Sequence, residues 1–548
     1  MLDELARDND VERLLADVGR KNITQYECGR WDSTLSGGDP FCVGIDPGNA
    51  ESSCRQHLAD DPTAAAEIEG LSRARREHSF DEREPPALVR GSIFVVHQSG
   101  TDNSRLGQQR MKVAIVGAGY VGLASGLALA HVGHEVRILD VDTARIAALQ
   151  RGEDPLGEDH IPALLRERRA SFTTDPSEAL TGADVIVIAV GTPPSKTGTA
   201  DLSFLDRAAA TVAAHAGGTT VLIRSTVPVG TCDRLQAGPL KAFQVVANPE
   251  FLREGRAIRD SLRPDRIVAG GDLAVERKVR ALYAPILEGT FAPIDGLTPG
   301  PRPEMHWMDR RSAELAKYAA NAFLATKLSF VNEMANLAAA VGADIRAVTR
   351  AVGADPRIGP AFLRPGIGWG GSCFPKDTRA LAAFALESGY DFRVLRAVIE
   401  QNSDQLQRFF RLIEAELQTR GSRRVGLLGL AFKSGTSDCR ESPAIALAEM
   451  MLDQGWEVRA FDPAVRPGAP GVPATVTVVS RIEDAAAHAD VLVVATEWDE
   501  FANADYVALA RLMDGDALLD GRCIVDPTAA RAAGLRYVGI CAPERPRD

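Results

Sequence analysis

The segment MKVAIVGAGYVGL, which begins at Met111, constrains the fold more than any other stretch of the chain. A β-branched run over residues 113–116 leads straight into Gly117, Gly119 and Gly122, spaced G-x-G-x-x-G, and an Ala/Leu-rich helical pattern follows. A strand, a tight glycine turn and a helix in immediate succession open a dinucleotide-binding βαβ unit. The first glycine permits the turn, the second lets backbone approach a pyrophosphate, and the third allows close helix–sheet packing. Tyr120 and Val121 lie inside the motif. Asp140 ends the next strand pattern, EVRILD, eighteen residues after Gly122. A carboxylate there accepts ribose hydroxyls and repels a 2′-phosphate, so the spacing points to NAD rather than NADP. Arg145, five residues on, softens that preference.

From Met111 onward, short β-branched runs alternate with Ala-rich helical patterns. Strands are expected at 113–116, 136–139, 185–189, 221–224 and 245–247, and this alternation implies a doubly wound, mostly parallel sheet. Residues 308–341 read as one long helix. A second α/β unit begins at Val425, with strands in RRVGLLGLAF, WEVRAFDP, VLVVATEW (491–498) and CIVDP (523–527). Two nucleotide-binding folds therefore flank a helical middle. The expected division is 1–110, an extension; 111–304, a cofactor domain; 305–415, a central helical domain; and 416–548, a second sheet domain. The first 110 residues mix charge clusters such as SRARREHSFDEREPP with Gly/Pro punctuation, and apart from one helical pattern near 2–19 they bury little apolar surface. They are expected to be mostly disordered.

Composition excludes several classes. A net charge of −12 argues against nucleic-acid binding, though not against an anionic small molecule held by a few local cations. No apolar run is long enough to span a membrane, and the acidic N-terminus lacks the order of a secretory signal. Eight cysteines without C-x-x-C pairs suggest neither a metal site nor a disulfide framework, and hence a reducing, cytoplasmic setting.

The chemistry concentrates in FLRPGIGWGGSCFPKDTRAL (362–381). Gly366, Gly368, Gly370 and Gly371 are expected to expose backbone amides to a sugar or phosphate. Cys373 follows, just before a helix whose first turn holds Pro375 and Lys376, a setting that favours the thiolate. A lone cysteine is often only a small buried hydrophobe, but the glycines and charges here favour a nucleophile. Lys317 and Asn321 share one face of the long helix, where an ammonium and an amide can meet an oxyanion. Glu250 and Glu254 in NPEFLREG, read alone, look like surface charge.

Together the motifs VAIVGAGYVGL, AVGTPP, RSTVPVG, NPEFLREG, AKYAANAFLATKLSFVNE, GIGWGGSCFPKD and AFKSGTSDCRESP resemble the UDP-glucose/GDP-mannose dehydrogenases, in family order from Met111 to the C-terminus. LRPDRIVAG, the helix AKYAANAFLATKLSF, GWGGSCFPKD and TEWDEF are similar to the UDP-glucose branch. The first 110 residues match nothing in that family. The resemblance implies two Rossmann-like domains joined by a central helical dimerisation region, and oxidation of UDP-glucose to a carboxylate with two NAD. The same chemistry on GDP-mannose or a UDP-N-acetylhexosamine is the near alternative, and a non-catalytic NAD sensor the remote one.

Site roles follow by the same resemblance. Cys373 matches the nucleophile, and Lys317 with Asn321 the oxyanion stabilisers. Asp377 matches an acid managing proton transfers, Glu250 a residue of thioester hydrolysis, and Thr226 the holder of a water that also touches cofactor. Gly117, Gly119, Tyr120, Val121, Gly122, Asp140, Arg145, Thr192, Glu254, Lys376 and Arg440 match the cofactor side. Glu250, Phe251, Leu252, Arg253, Lys317, Asn321, Phe362, Leu363, Arg364, Pro365, Gly366, Gly370 and Lys433 match the substrate side. Arg357 matches a residue reaching across a dimer interface, so a homo-oligomer is implied.

Overall fold

A computed structural model describes residues 110–195, 198–418 and 423–541. The expected disordered extension, with its helical pattern near 2–19, lies outside the described residues apart from Arg110. Two sheets organise the chain from Met111 onward. The first contains β1 (Lys112–Val116), β2 (Glu135–Leu139), β3 (Ala170–Thr173), β4 (Val185–Ile188), β5 (Thr220–Ile223), β6 (Gln244–Ala247), β7 (Arg266–Gly270) and β8 (Glu304–Met308), in the order 3-2-1-4-5-6-7-8. All neighbours are parallel except β6 and β7, which meet antiparallel at Ala247 and Gly270. The second contains β9 (Arg424–Leu428), β10 (Glu457–Phe461), β11 (Thr477–Val478), β12 (Val491–Val494), β13 (Ala517–Asp520) and β14 (Arg536–Gly539). Its order, 11-10-9-12-13-14, repeats the 3-2-1-4-5-6 pattern. In each sheet the order reverses beside the first strand, and the crevice this opens at the strands' C-terminal ends is where such folds take ligands.

The central strands bury both faces, which is why they read as unbroken apolar runs: every residue of β4, β5, β12 and β13 is buried. Helix α1 (Tyr120–His131) follows the glycine turn and is buried from Gly122 to its end. Between the sheets runs α2 (Arg310–Val341), 32 residues long, roughly 48 Å at 1.5 Å per residue. Asp309 caps its start by accepting from the Ser312 amide, and Gly342, at φ 74°, ends it in the left-handed region. Against α2 pack α3 (Phe374–Glu387) and α4 (Arg393–Gln418), both helical elements of the middle region.

Two expectations change. CIVDP is not a strand: the strand is the preceding ALLD, and Cys523 sits at φ 56° in a loop that ends where Asp526 caps the helix Pro527–Ala532. The β-branched content of CIVDP imitated a strand, but Asp526 and Pro527 are helix-start residues. Second, Cys523 and Cys541 form a disulfide with Cα atoms 5.7 Å apart. They follow adjacent parallel strands, β13 and β14, so a crossover helix separates in sequence what the sheet brings together. Short-range cysteine spacing cannot reveal such a pair. Among the described residues no helix is long and apolar enough to cross a membrane.

Candidate active site

The glycine turn is built as its spacing requires. Gly117 has φ 105°, and a Cβ there would stand 2.7 Å from the Ala189 carbonyl; one on Gly122 would stand 1.9 Å from the Gly117 carbonyl. Gly119 differs: its φ of −74° suits any residue, and nothing lies within 4 Å of where its Cβ would be. Neither backbone nor packing asks for glycine there, and the open side at the start of α1 fits a pyrophosphate. Asp140 directly follows β2 and accepts from the Ala118 amide at 2.6 Å and the Asp142 amide at 2.9 Å, with Arg145 3.5 Å away. The acid thus braces the turn while standing where a ribose would lie. Tyr120 and Val121 open α1, and Thr192 Oγ1 donates to the Thr226 carbonyl at 2.8 Å, joining the ends of β4 and β5. These residues fit NAD.

Beyond the C-terminal end of the first sheet, α2, α3 and the loop after β6 bring four charged or polar groups into a dry cluster. Lys317, Asn321, Glu250 and Asp377 are 3%, 6%, 5% and 2% exposed, so each needs a partner. Lys317 Nζ lies 3.1 Å from Glu250 Oε1, and Asn321 Nδ2 donates to Asp377 Oδ2 at 2.6 Å. Lys376 pairs with the other oxygen of Asp377. Burial would by itself raise Glu250, yet Lys317 and the Leu252 amide hold its carboxyl below the usual range. Burial would likewise lower Lys317, yet Glu250, Cys373 and Asp377 hold it above the usual lysine value.

Cys373 occupies the N-cap position of α3 beside this cluster. The expected thiolate is not its resting state. Burial first, then Glu250, pushes the thiol up, and Lys317 and Lys376 offset this only in part. Desolvation outweighs the helix terminus because the half-buried sulfur sits deep among protein groups.

Glu254 is not surface charge either. It accepts from Ser372 Oγ at 2.6 Å and lies 3.4 Å from Arg440, which also grips Asp438. Burial and Asp438 push its pKa up to about 7. Lys433 donates to the Glu254 carbonyl at 2.6 Å, tying the second sheet domain to this loop. Arg253 pairs with Asp260 at 2.6 Å, and Phe251 lies under Lys317 with its ring centre 5.3 Å from Nζ. Glu158 accepts from the Gly255 and Ala257 amides at 2.6 and 3.2 Å, bracing the Glu254 loop from below.

The glycine strip behaves differently from expectation. Gly366 donates its amide to Asn332 at 2.8 Å, and Trp369 donates to Asn402 at 2.7 Å. A Cβ on Gly370 would stand 2.1 Å from the Glu441 carbonyl, and one on Gly371 2.6 Å from the Phe432 ring. The glycines admit neighbouring backbone and rings, and the amides at 366 and 369 are already committed within the chain. Leu363 and Pro365 are buried, Arg364 is exposed, and Phe362, at φ 61°, sets its ring 6.3 Å from that of Phe374. Arg357 stays apart from the cluster: it is exposed and paired with Asp355 at 2.6 Å.

Sequence reasoning missed Ser372, Asp438, Glu158, Asn332 and Arg522, whose guanidinium reaches the Gly368 carbonyl at 3.3 Å. Asn332 had a signal, lying eleven residues after Asn321 and thus on the same helical face. Ser372 and Asp438 lay inside the motifs GIGWGGSCFPKD and AFKSGTSDCRESP, but nothing in the sequence tied either to Glu254, and Glu158 and Arg522 had no signal.

Two doubly wound sheets, a dinucleotide turn and a cysteine among buried acids and a lysine define a class, the NAD-dependent oxidoreductases acting on CH–OH groups. Within that class the chain belongs to the UDP-glucose/GDP-mannose dehydrogenase family: the family's NAD binding, central and UDP binding domains match residues 111–287, 311–404 and 426–527. It is 40% identical over 455 residues to a UDP-glucose 6-dehydrogenase of Pseudomonas aeruginosa, covering 79% of this chain and 98% of that one. It is 39% identical over 447 residues to the UDP-glucose 6-dehydrogenase TuaD of Bacillus subtilis, covering 79% and 93%. The solved structure of a UDP-glucose dehydrogenase from Pyrobaculum islandicum superposes with a TM-score of 0.71 at 34% identity, covering 80% of this chain and 99% of that one.

Proposed function

We propose that the chain oxidises the primary alcohol of UDP-glucose to UDP-glucuronate, using two NAD in succession. One observation carries the reading: Cys373 caps α3 beside the buried Lys317–Glu250 and Asn321–Asp377 pairs. Oxidation of an alcohol to an aldehyde needs no nucleophile; capture of the aldehyde and hydrolysis of an acyl intermediate need all of these groups. The substrate assignment is supported by relatives named UDP-glucose 6-dehydrogenase at 39% and 40% identity.

Bound NAD supplies the hydride acceptor for each oxidation. A water held by Thr226 relays the alcohol proton to Asp377, which with Lys317 keeps that water in place. The Cys373 sulfur then adds to the aldehyde carbon, and the carbonyl electron pair moves to an oxygen held by Lys317 and Asn321. After the second oxidation the chain carries a thioester. Glu250, held as a carboxylate by Lys317, draws a proton from the attacking water, and Cys373 leaves as product forms. Phe251, Leu252, Arg253, Phe362, Leu363, Arg364, Pro365, Gly366 and Gly370 line the sugar side, with Lys433 on the diphosphate. Tyr120, Val121, Asp140, Arg145, Thr192, Glu254, Lys376 and Arg440 hold the cofactor. The three-part division at 111–304, 305–415 and 416–548 assigns these tasks to cofactor domain, middle and UDP domain.

We also propose a homo-oligomer. Helix α2 buries polar Lys317, Asn321, Ser329 and Asn332 and exposes Phe323, Phe330, Leu337 and Val341 at 65%, 56%, 54% and 67%. Large apolar side chains left open along one face of a helix call for a second copy over that face, where the neighbour would receive Arg357. The setting is cytoplasmic, where the Cys523–Cys541 pair would be held as thiols.

The test is a panel of nucleotide sugars read by NADH absorbance. UDP-glucose should yield two NADH per UDP-glucuronate with no free aldehyde. A one-to-one ratio with aldehyde release, or a preference for GDP-mannose or a UDP-N-acetylhexosamine, sinks the reading.

A further inference from the structure

The proton of the Cys373 thiol has no free acceptor among the groups of the proposed mechanism: Glu250, the base for the later water, is already bonded through Oε1 to Lys317 and through Oε2 to the Leu252 amide. Cys373 starts as a thiol, and sulfur attacks a carbonyl only after its proton leaves. Lys317 is itself protonated and paired with Glu250. The two oxygens of Asp377 are taken by Asn321 and Lys376.

Ser372 is differently placed. Its Oγ stands 2.6 Å from Glu254 Oε1 and 3.6 Å from Cys373 Sγ. An ionised carboxylate only accepts, so the single serine proton points to Glu254 and the remaining lone pairs on Oγ face the sulfur. We propose that Ser372 relays the Cys373 proton to Glu254, which makes Ser372 a catalytic residue and Glu254 the proton store of the covalent steps. This rests on Cys373 being the nucleophile of the proposed reaction.

The step balances without any electron transfer. The S–H bond breaks as its proton joins Ser372 Oγ, the original serine O–H breaks, and a new O–H forms on Glu254 Oε1. Negative charge passes from carboxylate to sulfur. The sulfur pair then forms the S–C bond, and the carbonyl pair moves to the oxygen beside Lys317 and Asn321. When the thioester is hydrolysed the relay runs backwards and returns the proton to sulfur.

The surroundings of Glu254 suit a store rather than a fixed anion. Its carboxyl also meets that of Asp438 within hydrogen-bonding reach, a pair that holds a proton readily. Asp438 repels the ionised form, Arg440 favours it, Lys433 is engaged with the Glu254 carbonyl, and Tyr120 packs nearby with its hydroxyl on the Arg253 carbonyl. Around the sulfur stand Glu250, Lys317, Lys376 and Asp377. These opposed charges leave Glu254 able to gain and lose a proton near neutral pH, its pKa being about 7.

The experiment is alkylation of the full-length protein by iodoacetamide between about pH 5.5 and 9.5, a range spanning carboxyl and thiol titration. Modification of Cys373 is followed by peptide mass spectrometry. The wild-type rate should climb through a limb centred near the Glu254 value of about 7. Ser372→Ala should lose that limb and react about tenfold more slowly just above neutrality, where the thiolate fraction sets the rate. Ser372→Thr, which keeps the hydroxyl, should retain it, and Glu254→Gln should lose it. A limb that survives in Ser372→Ala overturns the relay, and one that survives in Glu254→Gln overturns the role of the carboxyl. Alkylation needs neither cofactor nor sugar, so a failed relay and a failed UDP-glucose assay are read separately.

Discussion

At the residue scale, the Lys317–Glu250 pair sets the strongest expectations. Replacing Lys317 with Ala strands a buried carboxylate, and breaking such a pair costs about 3–5 kcal/mol. Glu250 is held below its ordinary value, so its share of stability is present above the unfolded carboxyl pKa and fades as pH falls through the folded one. Lys317 is held above its ordinary value, so its share persists through neutrality and fades only as pH rises past the lysine range. Urea denaturation of wild type and Lys317→Ala should therefore diverge most between these limits and converge in acid. Cys373→Ser should lower steady turnover about a thousandfold or more, as removal of a nucleophile acting in a unit does, with NAD and substrate binding nearly unchanged by calorimetry. Asp140→Ala should weaken NAD about tenfold or more, a hydrogen bond to a charged group being worth about 1.5–3 kcal/mol, and relax discrimination against NADP. The candidate residues that were legible sit in contiguous motifs where spacing encodes geometry: glycine turn to strand-end acid, and lysine to asparagine one helical turn on. Ser372 and Asp438 were not legible because their meaning is a meeting with Glu254, more than a hundred residues earlier.

At the element scale, α2 carries the decisive prediction. Phe323→Glu with Phe330→Glu should leave the subunit folded, since both rings face away from its core, yet should shift the protein to a smaller species in size-exclusion chromatography. An unchanged elution volume would remove the case for self-association through this face. The disulfide gives a second. Cys523 and Cys541 are 18 residues apart, and closing a loop of that order is worth about 3 kcal/mol in the chain-entropy account. Cys541→Ser under oxidising conditions should lower the thermal midpoint, and a reductant should lower wild type to match it. The strands of the first sheet were readable because parallel strands buried on both faces are apolar throughout. CIVDP misled because its β-branched pair sits in a loop, with Val525 buried and Ile524 only half-buried, and Asp526 before Pro527 marks the helix start.

At the scale of the whole molecule, the sheet argues that residues 1–110 are dispensable. β1 pairs with β2 and β4, both later in the chain, so nothing upstream completes its ladder. A chain starting at Met111 should keep kcat/KM within about tenfold, equivalent to ~1.4 kcal/mol. Its thermal midpoint should stay within a few degrees, and a larger loss would mark the extension as a working part. The glycines carry one more consequence. Suppose every position were randomised and the survivors sequenced twice, once after sorting for folded protein and once after sorting for turnover. Gly122 and Gly370, where a methyl would meet a carbonyl at 1.9 and 2.1 Å, should be barren in both maps. Gly119, with ordinary dihedrals and open space before it, should be populated in the first map and empty in the second. Subtracting one map from the other would separate the glycines the polypeptide demands from the one its visitor demands.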